Sequence, residues 1–296
     1  MHKYLRAIGF SNMNTIDKIN KLAGFARESA DEVSYVSLDY DDNLMWAEYN
    51  FFLSDHFGIC VSGEYDEANR FYLESLMPFF RGNQSSARGY VSMDRMADKE
   101  GYYGVYDDLR SGVAVIFRLQ NVVSYLKTRS KKNYPEEKLP ISLAGLSTEG
   151  KVLLPLCKEK KEDEESRRKW RERSRWMAVA KVGCNQAMEF VTLSDMNTAS
   201  NVEKQLKRKK DIFTIVDSTL YPYGLESDHY AIVGDIREKY KVRNIFTGET
   251  VWMLTLEVNE LIFDICINAK DLEGEPMVGR RFKGIIWLQG TVHFPE

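Results

Sequence analysis

Between residues 14 and 30 apolar side chains recur at helical spacing. Asn14 or Thr15 caps the first turn, Asp17 suits the positive end of the helix dipole, and Ile16, Ile19, Leu22 and Phe25 or Ala26 share one side. From Val33 the pattern shortens to short aromatic and β-branched runs at 33–39, 44–53, 57–63 and 70–80, divided by turn compositions such as Asp41-Asp42-Asn43 and Ser54-Asp55. The connections are too brief for crossover helices, so an antiparallel meander is expected. Large side chains crowd together at Tyr49, Phe51, Phe52 and Leu53. That implies a strand covered on both faces, with the 14–26 helix as one lid.

Further strands are predicted at 101–107 and 113–120, then a short helix at 122–127. Runs 141–146 and 151–156 flank Ser147-Thr148-Glu149-Gly150, which reads as a hairpin with glycine at its left-handed position. The pattern then turns polar. Residues 158–175 hold nine basic and six acidic side chains around Trp170, and a helix is expected from 162 to 181. Two shorter helices follow, at 186–191 and from Ser194 to about 206. The last third returns to strands at 212–221, 230–243, 251–258, 261–268 and 282–294. Glycines 234, 284 and 290 inside them point to bends or bulges. The expected fold is therefore α+β: an N-terminal antiparallel sheet with helices (1–157), a charged helical connector (158–210), and a C-terminal small antiparallel β-barrel, OB-like, or a sandwich (211–296).

Composition narrows the function classes. Of 296 residues 44% are hydrophobic and 29% charged, a balance that buries a sizeable core. Net charge is −3, so no global field favours nucleic acid or an anionic membrane. The opening Met1-His2-Lys3-Tyr4-Leu5-Arg6 is not of signal-peptide type, and no run approaches the roughly 20 apolar residues that span a bilayer. Cys60, Cys157, Cys184 and Cys266 are widely spaced without a C-x-x-C pair and read as reduced thiols packed as small hydrophobes. The expected location is the cytoplasm.

The opening MHKYLRAIGFS, the stretch WMAVAKVGCNQAMEFVTLSDMNTAS and the tail from DIFTIVDSTLYPYGLESDHYAIVGDI to GEPMVGRRFKGIIWLQGTVHF resemble a family of uncharacterised bacterial proteins of about this length, a domain of unknown function. The resemblance covers nearly the whole chain and is strongest after residue 212. It implies one architecture across both parts and no reaction, cofactor or catalytic residue.

Familiar phosphate-loop, dinucleotide, nucleophile-elbow and zinc-helix motifs are absent from the sequence, and nothing calls for a metal or cofactor. The densest polar cluster is the run from Tyr221 to Tyr230. Glu226, Asp228 and His229 there, walled by Tyr221 and Tyr223, suit an acid–base pair or cation ligands; the plainer reading is a turn entering a strand. Arg280 and Arg281 follow a loop rich in glycine and proline, which suits an anion-accepting bend or an ordinary solvated connection. Trp170 and Trp176 in the charged helix are candidates for a protein interaction face. Basic runs with Trp252 and Trp287 raise single-stranded nucleic acid, against which stand the compensating acids and a core reading of Trp287. Paired acids at Asp41-Asp42 and Asp107-Asp108 read as solvated turns. Three functions follow in order: a non-catalytic cytoplasmic binding or adaptor protein with a protein partner or self-association, an enzyme with a small-molecule site between the two parts, and a nucleic-acid binder through the barrel.

Overall fold

The computed structural model describes residues 3–13, 15–38, 41–95, 101–108, 113–130, 137–155 and 218–295, with 168, 172, 175–176, 179–180, 184–193 and 196 inside the charged segment. Helix α1 (Ile16–Glu28) starts where its sequence says it should. Thr15 is extended and its side chain accepts from the Lys18 amide, and the Ser29 amide closes the end on the Phe25 carbonyl. Leu22, Ala23 and Ala26 turn inward, while Phe25 stays at the rim, edge-on to Phe51 at 5.4 Å. The helix lies over a four-stranded antiparallel meander, β1 (Glu32–Leu38), β2 (Asp41–Phe52), β3 (Phe57–Tyr65) and β4 (Phe71–Phe80). Both the meander and its lid match expectation. Cross-strand partners share a face, so the register separates Tyr49, Val61 and Leu76 on the α1 side from Glu48, Ser62 and Ser75 on the other.

The second sheet is larger and mixed. It contains β5 (Ala87–Gly89), β6 (Val91–Arg95), β7 (Tyr102–Asp108), β8 (Val113–Leu119), β9 (Leu139–Leu153), β10 (Thr219–Pro222), β11 (His229–Arg243), β12 (Thr250–Val258), β13 (Leu261–Asn268), β14 (Leu272–Glu273) and β15 (Arg281–Val292). Helix α2 (Val122–Ser130) packs Val122, Val123, Tyr125 and Leu126 into the core against β1 and β2. Five of these strands pair in a cycle. β11, β12 and β13 form an antiparallel meander, β13 runs parallel to β9, and β9 and β11 both run antiparallel to β15. The cycle takes β9 from before residue 157 and the other four strands from after 211, so hydrogen bonds join the two parts that composition separates.

The hairpin expected around Ser147–Gly150 is a correction. β9 is one strand of 15 residues, paired with β15 from Ile141 to Leu153. Where a turn was expected, Ser147 and Glu149 face consecutive residues of β15, Ile286 and Ile285, which leaves Thr148 as a bulge. A continuous partner strand overrides the local turn chemistry. The short strands β5 and β6 were not anticipated, and the strand expected over 212–221 is seen only from Thr219, its earlier part lying outside the described residues.

Nor was the 3-10 helix Lys3–Ile8 anticipated, and it joins the two sheets. Tyr4, Leu5 and Ile8 bury with Leu146, Met253, Cys266 and Trp287 from the large sheet and with Ile59 and Val61 from the meander. A polar clasp holds it. Arg6 forks onto Asp271 at 2.7 and 2.6 Å, Asn244 donates to the Ile8 carbonyl at 2.7 Å, and Thr247 donates to the Gly9 carbonyl at 2.8 Å. Gly9 takes φ +95°, and a Cβ there would stand 3.1 Å from that of Asn244. The cycle's other side holds a separate apolar cluster that includes Leu254, Leu256, Phe263, Ile265, Ile286 and Leu288.

Candidate functional site

Strands β10 and β11 pair from Thr219↔Val233 to Pro222↔Tyr230. The chain between them turns through Gly224 at φ +75° and is closed by backbone bonds Tyr223 N→His229 O and His229 N→Glu226 O. Tyr221, Tyr223, Leu225 and Glu226 stand exposed on this turn, Leu225 completely. Asp228 is buried directly behind them. Its two carboxylate oxygens are engaged separately: Trp287 Nε1–H donates to Oδ2 at 2.6 Å, and His229 Nδ1 lies 2.8 Å from Oδ1. The Tyr4 ring sits 5.4 Å from both His229 and Trp287, and burial with the Asp228 charge nearby pushes its hydroxyl well above the usual tyrosine range. Asp228 is thus no solvated turn residue. A proton on Nδ1 shared with Asp228 leaves Nε2 as the basic nitrogen of His229.

On its far side Trp287 lines a cavity of about 40 Å³ between the sheets, large enough for one to three waters. Glu48 and Cys60 reach it from the meander, Arg118 and Gln120 from β8 and just beyond it, and Gln289 from β15. Glu48 is 7% exposed and bonded by Trp46 Nε1–H at 3.5 Å and by the Val123 amide. Burial dominates and lifts its carboxyl to about 7, with those bonds and the charges of Arg118 and Arg81 pulling the other way. Arg118 is similarly dry, and desolvation lowers its guanidinium pKa against the opposing pull of Tyr103, Asp228, Cys60 and Glu48. Its guanidinium lies flat on Gly101, where a Cβ would fall 2.1 Å from Nη2. Burial also raises the Cys60 thiol, which makes it a poor nucleophile.

Two glutamines complete this polar seam. Gln289 Nε2–H donates to the Pro78 carbonyl and its Oε1 accepts the Phe80 amide, while Gln120 donates to the Phe80 carbonyl and to Gln289. Side-chain amides here take the place of a neighbouring strand along the end of β4.

The sequence candidates divide. Asp228 and His229 meet each other, Trp287 and Tyr4. Arg280 and Arg281 do not join them: His229 faces Trp287 at one end of the β11–β15 ladder and Asp235 faces Arg281 at the other, about 20 Å along the strand. Arg280 donates to the Glu275 carbonyl and buried Arg281 to the Leu154 carbonyl. The loop before them is held by Lys239 on the Pro276 carbonyl, and these bonds make it a pinned connection. Trp176 stacks on Phe190 at 5.0 Å, Trp170 lies outside the described residues, and Trp252 packs beside Lys239 and Lys241. Glu48, Arg118, Gln120 and Gln289 were not singled out beforehand. Their signal was a charged or amide side chain inside an apolar strand pattern.

Among the described residues no three His, Cys, Asp or Glu side chains are placed to hold a metal, and no helix is long and apolar enough to cross a membrane. No curated protein and no solved structure matches the chain. Residues 5–290 match the family described as "Domain of unknown function, E. rectale Gene description (DUF3881)", and the chain belongs to that family.

Proposed function

We propose that the chain is a non-catalytic cytoplasmic binding protein that offers the β10–β11 turn to a protein partner. The observation that carries this reading is a contrast across one turn: Tyr221, Tyr223 and Leu225 stand in solvent, while Asp228 and His229 behind them are fixed to Trp287. Exposed tyrosines on an ordered turn suit a binding hot spot, since tyrosine is enriched there and the backbone beneath it is already fixed. Free thiols at Cys60, Cys184 and Cys266 suit a reducing compartment.

The pairing cycle supports an OB-like barrel in which β9 serves as the closing strand. Such barrels take nucleic acid and sugars on the face of their second and third strands. Here those strands are β12 and β13, and Met253 and Cys266 on that face pack with Tyr4, Leu5 and Ile8. The occupied face favours a protein partner over single-stranded nucleic acid. A photo-reactive side chain at position 225 is expected to give one discrete adduct in cells, lost when Tyr221 and Tyr223 become serine and absent with the probe at Arg243. Equal labelling from both positions counts against the reading.

A second reading, an enzyme with His229 as general base, draws on the Asp228 contact at Nδ1, which leaves Nε2 as the ring nitrogen for a substrate. It expects a small molecule retained in native mass spectrometry and lost from His229→Gln.

A further inference from the structure

The meander ends at β4, and the two halves of that edge differ. Arg81 N bonds His56 O, which by alternation turns Phe80 and Pro78 toward the free side. There the edge is sealed: Gln289 and Gln120 take the polar atoms of both residues, and Pro78 has no N–H to offer. The other half begins after a register shift opposite Ser62 and Gly63. Asp66 N bonds Arg70 O, so the same alternation turns the N–H and C=O of Phe71 and Leu73 outward, where they meet no partner among the described residues. Tyr72 is 49% and Leu73 47% exposed beside them.

We propose that this half-edge pairs with the same segment of a second copy of the chain, antiparallel across a twofold axis at Tyr72. Strand addition through a bare edge is an established mode of recognition, and a twofold contact requires a self-complementary patch. The sequence of this patch is self-complementary in that register. Phe71 faces Leu73 of the second copy and Leu73 faces its Phe71. These are the residues with outward amides, so the two pairs form the narrow hydrogen-bonded rungs. Tyr72 faces Tyr72 at the axis. Arg70 faces Glu74 on each side of it, a pair of opposite charges repeated by the symmetry. Arg70 already holds Asp66 through Nε and Nη2, but its guanidinium is largely exposed and Nη1 remains for a second carboxylate. The apolar pairs lie on the face of Phe71 and Leu73, the tyrosines and ion pairs on the other. Pro78 and the glutamines end the contact and set its length.

Sedimentation velocity on the full chain tests this. The wild type is expected to be a reversible dimer with affinity on the order of micromolar, since the contact is short. Leu73→Lys is expected to be monomeric with an unchanged far-ultraviolet circular-dichroism spectrum. Arg70→Glu is expected to weaken the dimer at least about tenfold, and Arg70→Glu with Glu74→Arg to restore it. Amide exchange at Phe71 and Leu73 should slow with concentration. A wild type still monomeric at about 0.2 mM overturns the proposal, whatever other strand the edge then takes. A dimer indifferent to Leu73→Lys overturns it too, and failure of the charge swap to restore binding overturns the register.

Discussion

The strand cycle and the meander spend their two faces differently. β12 and β13 bury both: Leu254, Leu256, Phe263 and Ile265 enter one cluster, and Met253 and Cys266 the other, beside a buried Thr255–Asp264 hydrogen bond. The meander is apolar toward α1 and the 3-10 helix, while its opposite face is divided: Val36 and Trp46 pack with the α2 cluster, and Glu48, Asn50, Cys60 and Ser62 stand around a small cavity. The cycle closes on itself, whereas β1 and β4 are edges. Stability should therefore reside in the cycle, and sensitivity to pH and to partners in the meander. Phe263→Ala tests the first half. Phe263 is 1% exposed, and its loss is expected to cost about 4 kcal/mol, against about 1 kcal/mol for half-buried Phe71→Ala. Equal shifts in the denaturant midpoint would remove the distinction.

Glu48→Gln tests the second half. The folded carboxyl holds its proton up to about 7 against an ordinary 4.5, so the folded state binds more protons across that window. Stability then falls as pH rises from about 4.5 to 7 and stays low above it. Glutamine keeps the shape and cannot ionise. It is expected to match wild type below the window and to exceed it above pH 7 by up to about 3 kcal/mol. A gain independent of pH would mean that Arg118 and Arg81 already neutralise the carboxylate. Trp287→Phe, which keeps the packing but removes the donor from Asp228 Oδ2, is expected to cost about 2 kcal/mol. Urea melts across pH 4–9 measure both variants.

The meander was legible because its strands are separated by short turns and each pairs with its neighbour in sequence. So were α1, by its cap, although Ile16 of the expected stripe is exposed, and β11 to β13, as strand-like runs broken at Thr247-Gly248-Glu249 and Asn259-Glu260. The bulge at Thr148 was not: Ser-Thr-Glu-Gly reads as a turn locally, and only the facing β15 makes it part of a strand. Nor could the sequence show that β9 enters the same cycle as strands more than a hundred residues later. In the site, Asp228 and His229 were found because they adjoin, but the Trp287 bond spans 59 positions. Glu48 and Arg118 were visible as charges inside apolar strands, a sign of burial that gives no hint of which sheets meet around them.

The smallest effect concerns the segment that joins the two regions. Arg6 forks onto Asp271, yet its side chain is 43% exposed, and solvent screens most of such a pair. Arg6→Ala is expected to cost no more than about 0.5 kcal/mol in global melts. Its local effect is a different matter. The 3-10 helix is too short to hold itself, and its position depends on the clasp around Tyr4, Leu5 and Ile8. Amide exchange in residues 3–10 should therefore quicken in Arg6→Ala while β12 and β13 stay protected. If the three apolar anchors suffice alone, exchange will not change, and the polar clasp sets only the register of the helix on the strand cycle.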